Sequence, residues 1–254
     1  MSDSVQDRFG RAAEKYLSSR DHQIPAELMD LILGLSPMNG LVLDVGTGAG
    51  HTAYALALRA DEVAAVDITP EMLQIVEREA AAMELPNVRA VLAQAESLPF
   101  EADSAVGVAS RLAAHHFTDA QAFVSEASRV VRPGGWLLLI DTVGSEEADA
   151  TLVVDEVETI RDRSHGRNIP PSEWRAMVEE SGFLVESLVV RGKRMNFQDW
   201  MDRQDVPEAD RPELKRLIFE SEGALRDYFQ PLIEPSMTFE LKEITLVARK
   251  SANS

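Results

Sequence analysis

Three glycines at alternate positions, set between an apolar run and a helical pattern, constrain this chain more than anything else in it. The segment reads Leu41-Val42-Leu43-Asp44-Val45-Gly46-Thr47-Gly48-Ala49-Gly50. Glycines that follow a buried strand give a tight turn and let a ligand lie against bare backbone. The dinucleotide fingerprint G-x-G-x-x-G places its third glycine where a pyrophosphate meets the helix, and that position is His51 here. The G-x-G-x-G spacing suits a ligand without a pyrophosphate. Further short apolar runs at 63–67, 88–92, 105–109 and 136–141 alternate with helical patterns at roughly 50–60, 70–83 and 119–131. Alternation of this kind predicts right-handed crossovers and a doubly wound, Rossmann-like α/β sheet of seven mostly parallel strands. Thr69 as a cap and Pro70 at the first helical position predict where the helix at 70 begins.

Past residue 141 the pattern changes. Residues 146–169 are polar and predicted helical, 172–181 is a helix and 183–190 a strand. Two more helices are expected in 197–230, and 244–248 is a last strand. With helices at 4–20 and 25–35, residues 1–35 lead into a single domain over 1–254. The insertions 146–169 and 197–230 are expected to form a helical cover over one edge of the site. Composition narrows the partners. The chain has 254 residues, no cysteine, and 25 Lys+Arg against 43 Asp+Glu, a formal charge of -18. Thiol chemistry and zinc-thiolate sites are excluded, and polyanionic partners such as nucleic acid or an anionic membrane are disfavoured. No stretch is long and apolar enough to insert in a bilayer and no secretory signal is visible, which points to a cytoplasmic protein. His115 and His116 lack the i, i+4 spacing of a helical metal pair, so no metal site is expected.

The glycine segment resembles motif I of the class I S-adenosyl-L-methionine (SAM)-dependent methyltransferases. The likeness runs from about Phe9 to Lys250, within the small-molecule subset known as methyltransferase type 11 and similar to the ubiquinone/menaquinone C-methyltransferases. The resemblance implies SAM as cofactor and S-adenosylhomocysteine as product. It assigns Asp44 to the amino-acid end of SAM, with Gly46, Thr47, Gly48 and Gly50 packed against it. Asp67, at the end of the second strand, can accept both ribose hydroxyls. Ile68 and Met72 would flank the adenine, and Gln94-Ala95 resembles the adenine-reading loop, with an amide where many relatives carry aspartate. Ser110 and Tyr16 complete the implied cofactor set. In the fourth strand Ala105-Val106-Gly107-Val108 stands where relatives often read Phe-Asp-Val-Val.

Methyl transfer is an in-line displacement, and a hydroxyl nucleophile also needs a base. Just past the fourth strand lies Ser110-Arg111-Leu112-Ala113-Ala114-His115-His116-Phe117, and Asp141 closes the fifth strand. Ligands in such sheets bind outside these strand ends. His115, His116 and Asp141 are the candidate catalytic residues, by resemblance to natural-product and sugar O-methyltransferases. A histidine that caps a strand end is the competing reading. Arg111 and the cluster Arg161-Asp162-Arg163-Ser164-His165-Gly166-Arg167-Asn168 supply candidate acceptor contacts in Arg111, Arg161, His165 and Arg167. An ion-paired loop on a strongly acidic protein is the competing reading of the same cluster. The expected function is O-methylation of a small molecule. The alternatives are C-methylation of a quinone-like or aromatic acceptor, or a SAM-binding cyclase or binding protein that transfers nothing.

Overall fold

Short, mainly apolar runs become the strands of a sheet whose central members are covered on both faces, as their composition requires. In the computed structural model, which describes residues 24–252, they form β1 (Leu41–Val45), β2 (Glu62–Asp67), β3 (Val88–Leu92), β4 (Ala105–Arg111) and β5 (Val131–Thr142). Two longer strands follow, β6 (Phe183–Asn196) and β7 (Thr238–Lys250), and the seven lie in the order β3-β2-β1-β4-β5-β7-β6. All neighbours are parallel except β7, which runs antiparallel to both β5 and β6. This is the α/β, seven-stranded, mostly parallel sheet the sequence predicts. The strand order reverses between β1 and β4, so the ends of those strands open onto the crevice where such folds take ligands.

Helices α1 (Ala26–Gly34), α2 (His51–Ala57) and α3 (Pro70–Ala82) pack on one face around Ile32, Leu56, Val76 and Trp136. On the other face α4 (Ala120–Val130) and α6 (Pro171–Glu180) bury Phe123, Val124, Trp174 and Val178. Alternate β5 residues serve opposite faces, Leu137 and Leu139 one, Trp136 and Leu138 the other. That period of two is the strand's own geometry. Gly107 on β4 makes room for Trp136, whose indole lies where any side chain at 107 would sit. The departure at residues 105–108 is thus a packing solution.

A third core belongs to α5 (Ala148–Arg161), α7 (Phe197–Asp202), α8 (Arg211–Phe219), α9 (Gly223–Phe229) and the start of β7. Phe239 stands at its centre, edge-on to Trp200 at 5.0 Å and to Phe229 at 6.1 Å. Such aromatic pairs add ~0.5–1.5 kcal/mol each beyond area burial. Residues 197–230 hold three helices where two are expected, because Asn196 caps a separate short helix by accepting the Asp199 amide. In 146–169 the helix ends at Arg161 and the remainder is loop. Thr69 does not cap α3 with its side chain. Its amide donates to Asp67 instead. The helix expected at 4–20, and Tyr16 with it, lies outside the described residues. No helix among the described residues is long and apolar enough to cross a membrane.

Candidate active site

The turn from β1 into α2 builds the first half of the site. Gly50 sits at φ 88°, where a Cβ would fall 2.5 Å from the Tyr54 hydroxyl, so only glycine fits. The Tyr54 hydroxyl donates to the Ala49 carbonyl and locks the turn. The loop opens on a cleft with about 1100 Å³ of free space out to its mouth. Of the residues predicted to meet a cofactor, Asp44, Gly46, Thr47, Gly48, Asp67, Ile68, Met72, Gln94 and Ala95 line it. Gly50 and Ser110 do not: Gly50 shapes the turn from behind, and Ser110 is buried in β4. Arg111 also lines this cleft, not the acceptor side, and donates from Nε to the Thr52 hydroxyl at 3.0 Å.

The two carboxylates are held differently. Asp44 is fully buried and accepts the Thr47 hydroxyl at 2.6 Å; burial pushes its pKa up to about 6. Asp67 receives the Gly48 amide on Oδ2 and the Thr69 amide on Oδ1, each at 2.9 Å. Burial raises its pKa as well, against the pull of those amides. Each of its oxygens keeps lone-pair capacity for a further donor.

A second cavity, with about 790 Å³ of free space, shares two wall residues with the first, Leu112 and His116. Leu112 has φ 52°, a conformation that costs a non-glycine residue of order 1–3 kcal/mol and recurs at functional turns. Its amide donates to the Ile140 carbonyl, tying the turn to β5. His115 lines the second cavity only. Its Nδ1 stands 2.5 Å from Asp141 Oδ1, and its amide donates to Asp141 Oδ2 at 3.1 Å. Burial alone would lower the His115 pKa, but the Asp141 carboxylate overrides it and the net shift is upward. Burial likewise works against ionised Asp141, yet His115 and the Thr142 amide bring its pKa below the usual range. His116 goes the other way. Burial and the neighbouring His115 take it down to about 3. Its Nδ1 stands 3.0 Å from the Ser164 carbonyl, which can only accept, so Nδ1 carries the proton and Nε2 is the basic nitrogen.

The polar cluster at 161–168 divides. Arg161 and His165 line the second cavity. Arg167 lines neither space; it is exposed and forms a two-pronged pair with Glu173 at 2.6 and 2.7 Å, so its assignment to the acceptor is corrected to a surface ion pair. The backbone of this loop holds the histidines in place. The amides of Gly166 and Arg167 donate to the His115 carbonyl at 2.8 and 3.2 Å. Sequence reasoning misses Glu158, Lys193, Met195, Trp200, Leu241 and Glu243 in the cavity wall, because no local motif marks them. In the first cleft it misses Thr52, Thr69 and Phe117. No group of three or more His, Asp or Glu among the described residues is placed to hold a metal ion.

A sheet of this order, with a glycine turn and an acidic residue ending β2, has the form of the nucleotide-binding α/β folds. A family model described as a methyltransferase domain matches residues 43–139. The uncharacterised methyltransferase YcgJ of Bacillus subtilis is 35% identical over 207 residues, covering 80% of each chain. The chain belongs to the class I SAM-dependent methyltransferases. The crystal structure of the Bacillus subtilis YcgJ protein superposes with a TM-score of 0.83 at 30% identity, over 88% of this chain and 97% of that one. The [4+2]-cyclase SpnF shares the fold at a TM-score of 0.65 and 16% identity, over 99% and 97% of the two chains. That likeness is one of fold alone, since one fold hosts several chemistries.

Proposed function

We propose that this enzyme binds SAM in the first cleft and methylates a hydroxyl of a small molecule held in the second cavity, with His115 as the general base. The residues of the cleft fit the cofactor. Asp67 offers two partly used carboxylate oxygens to a pair of ribose hydroxyls, Ile68 and Met72 offer apolar contact to a base, and Asp44 faces the glycine turn. When bound, SAM supplies an electrophilic methyl group on a sulfonium. The chain's own task is then to align the acceptor, to exclude water and to take a proton.

One observation carries this reading: the two spaces share Leu112 and His116 as wall residues, and His115, paired with Asp141, lines the second beside them. Asp141 holds the proton of His115 on Nδ1, which leaves Nε2 as the nitrogen that accepts. Neutral His115 takes the hydroxyl proton as the acceptor oxygen bonds to the methyl carbon. Asp141 stabilises the imidazolium that results. His116, held neutral across the physiological range, adds no charge beside the sulfonium. Helices α5 and α7–α9, with the tips of β6 and β7, act as the cover that closes the acceptor space.

The test follows S-adenosylhomocysteine and methylated product together, by mass spectrometry, over a panel of hydroxylated and carbon-nucleophile acceptors. Transfer to oxygen that collapses in His115→Ala supports the proposal. Transfer to carbon with both histidine variants at full rate removes the base and leaves alignment as the mechanism.

A further inference from the structure

Most polar groups in the wall of the second cavity are engaged within the protein. Arg161 donates from Nε to the Trp200 carbonyl at 3.2 Å and from Nη1 to Glu158 Oε2 at 3.4 Å. Its guanidinium also lies over the Trp200 ring, 4.7 Å from the centroid. Asp162 accepts the Ser164 amide and hydroxyl, and His165 is engaged by Asp155 and Asn168. Two buried atoms on residues of this wall are left over. Glu158 Oε1 and the Trp200 indole Nε1 are buried without a hydrogen-bond partner, on residues 6% and 0% exposed.

Native proteins satisfy nearly all such atoms, so an orphaned pair on one cavity wall calls for a ligand. The carboxylate oxygen only accepts and the indole nitrogen only donates. A carboxylate on the ligand meets Glu158 with like charge. An ammonium serves Glu158 and leaves the indole unmet. A hydroxyl serves both, accepting from Trp200 and donating to Glu158. The fixed charges disfavour an anion: Glu158, Asp162 and Glu243 outnumber Arg161 and Lys193 in this wall, and His115 is neutral when it acts as base.

We propose that the acceptor is an uncharged molecule with at least two hydroxyls, one presented to His115 and a second held between the Trp200 indole N–H and the Glu158 carboxylate. Only the role of the first hydroxyl rests on the methyl-transfer reading of the cavity.

The experiment uses the full chain with ¹⁵N-labelled tryptophan, saturated with S-adenosylhomocysteine. Its three tryptophans give three indole signals, assigned by single Trp→Phe variants. Catechol, resorcinol and hydroquinone are compared with phenol, 3-hydroxybenzoate and tyramine. At least one diol is expected to move the Trp200 signal downfield and to bind at least ten-fold more tightly than phenol and the charged probes. Glu158→Gln should abolish that ten-fold preference. Diols that leave the Trp200 signal in place, or 3-hydroxybenzoate or tyramine binding as tightly as the diols, overturn the proposal. The shift is read in the unaltered chain, so it decides the matter even where Glu158→Gln does not fold. With SAM supplied in place of S-adenosylhomocysteine, binding without methylation would sink the transfer reading and leave the diol site standing; methylation with no diol preference would do the reverse.

Discussion

At the scale of single residues, the two aspartates closest to the chemistry have opposite relations to stability. Asp141 is stabilised by the His115 it orients. Asp44 is held ionised in a fully buried place, and a pKa raised from 3.8 to about 6 corresponds to roughly 3 kcal/mol of strain at neutral pH. Asp44→Asn should therefore raise stability by on the order of 1–2 kcal/mol, visible as a higher Tm, while SAM binding weakens in calorimetry. An unchanged or lower Tm would mean that Thr47 and the backbone already compensate the buried charge. His115→Ala should lower the methyl-transfer rate by ~10²–10⁴ with SAM affinity nearly intact. Because His115 titrates above its ordinary value and acts in its neutral form, the rate should climb with pH through that raised pKa and then level off. A pH-independent rate with a hydroxyl acceptor would rule this histidine out as the base.

At the scale of elements, the end of β2 and the helical layer make separate predictions. Asp67→Ala removes a charged acceptor from the strand end and should weaken SAM binding by ~1–3 kcal/mol, measured as a dissociation constant. An unaltered constant would place the ribose contacts elsewhere. Helices α5 and α7–α9 share a core apart from the two faces of the sheet. Their amides should exchange more slowly once cofactor and acceptor are both present, whereas a response confined to the glycine turn would argue against closure. The strands β1, β2, β4 and the second half of β5 were readable from sequence because a strand buried on both faces is apolar through its middle, as Leu43, Val63 and Leu137 are. The edge strand β3, by contrast, carries the exposed Arg89. The cofactor loop was readable because the steric demand for glycine leaves a local mark. The acceptor wall was not. Glu158 lies on one helix, Trp200 on another and Leu241 on a strand late in the chain, and only the sheet order brings them together. Arg167 misled for a related reason: a basic residue within a polar cluster has the same local pattern whether it faces a cavity or, as here, Glu173 on the surface.

For the molecule as a whole, pH acts on stability through groups of opposite sign. His116 falls from 6.5 to about 3 on folding, so between those values the unfolded chain binds a proton that the native one refuses, and stability rises with pH. Asp44 acts oppositely between 3.8 and about 6, where the native state holds the extra proton. His115, raised on folding, contributes stability that is complete below 6.5 and is lost as pH rises through its folded value. Urea midpoints of His116→Asn should accordingly rise less steeply from pH 4 to 6.5 than those of the unaltered chain; parallel curves would mean that His116 is protonated in the folded state. The linings of the two spaces also divide along the chain. The first cleft draws on residues 44–118, whereas the second draws on 112–116 and then on 142–243. The later stretch joins the parallel sheet through a single ladder, β5 with β7. On the proposed reading, donor chemistry and guest preference occupy successive lengths of one polypeptide that share Leu112 and His116. On that reading, a crossover placed after Thr142, preserving the residues that pair with β5, would exchange the guest while keeping the donor apparatus.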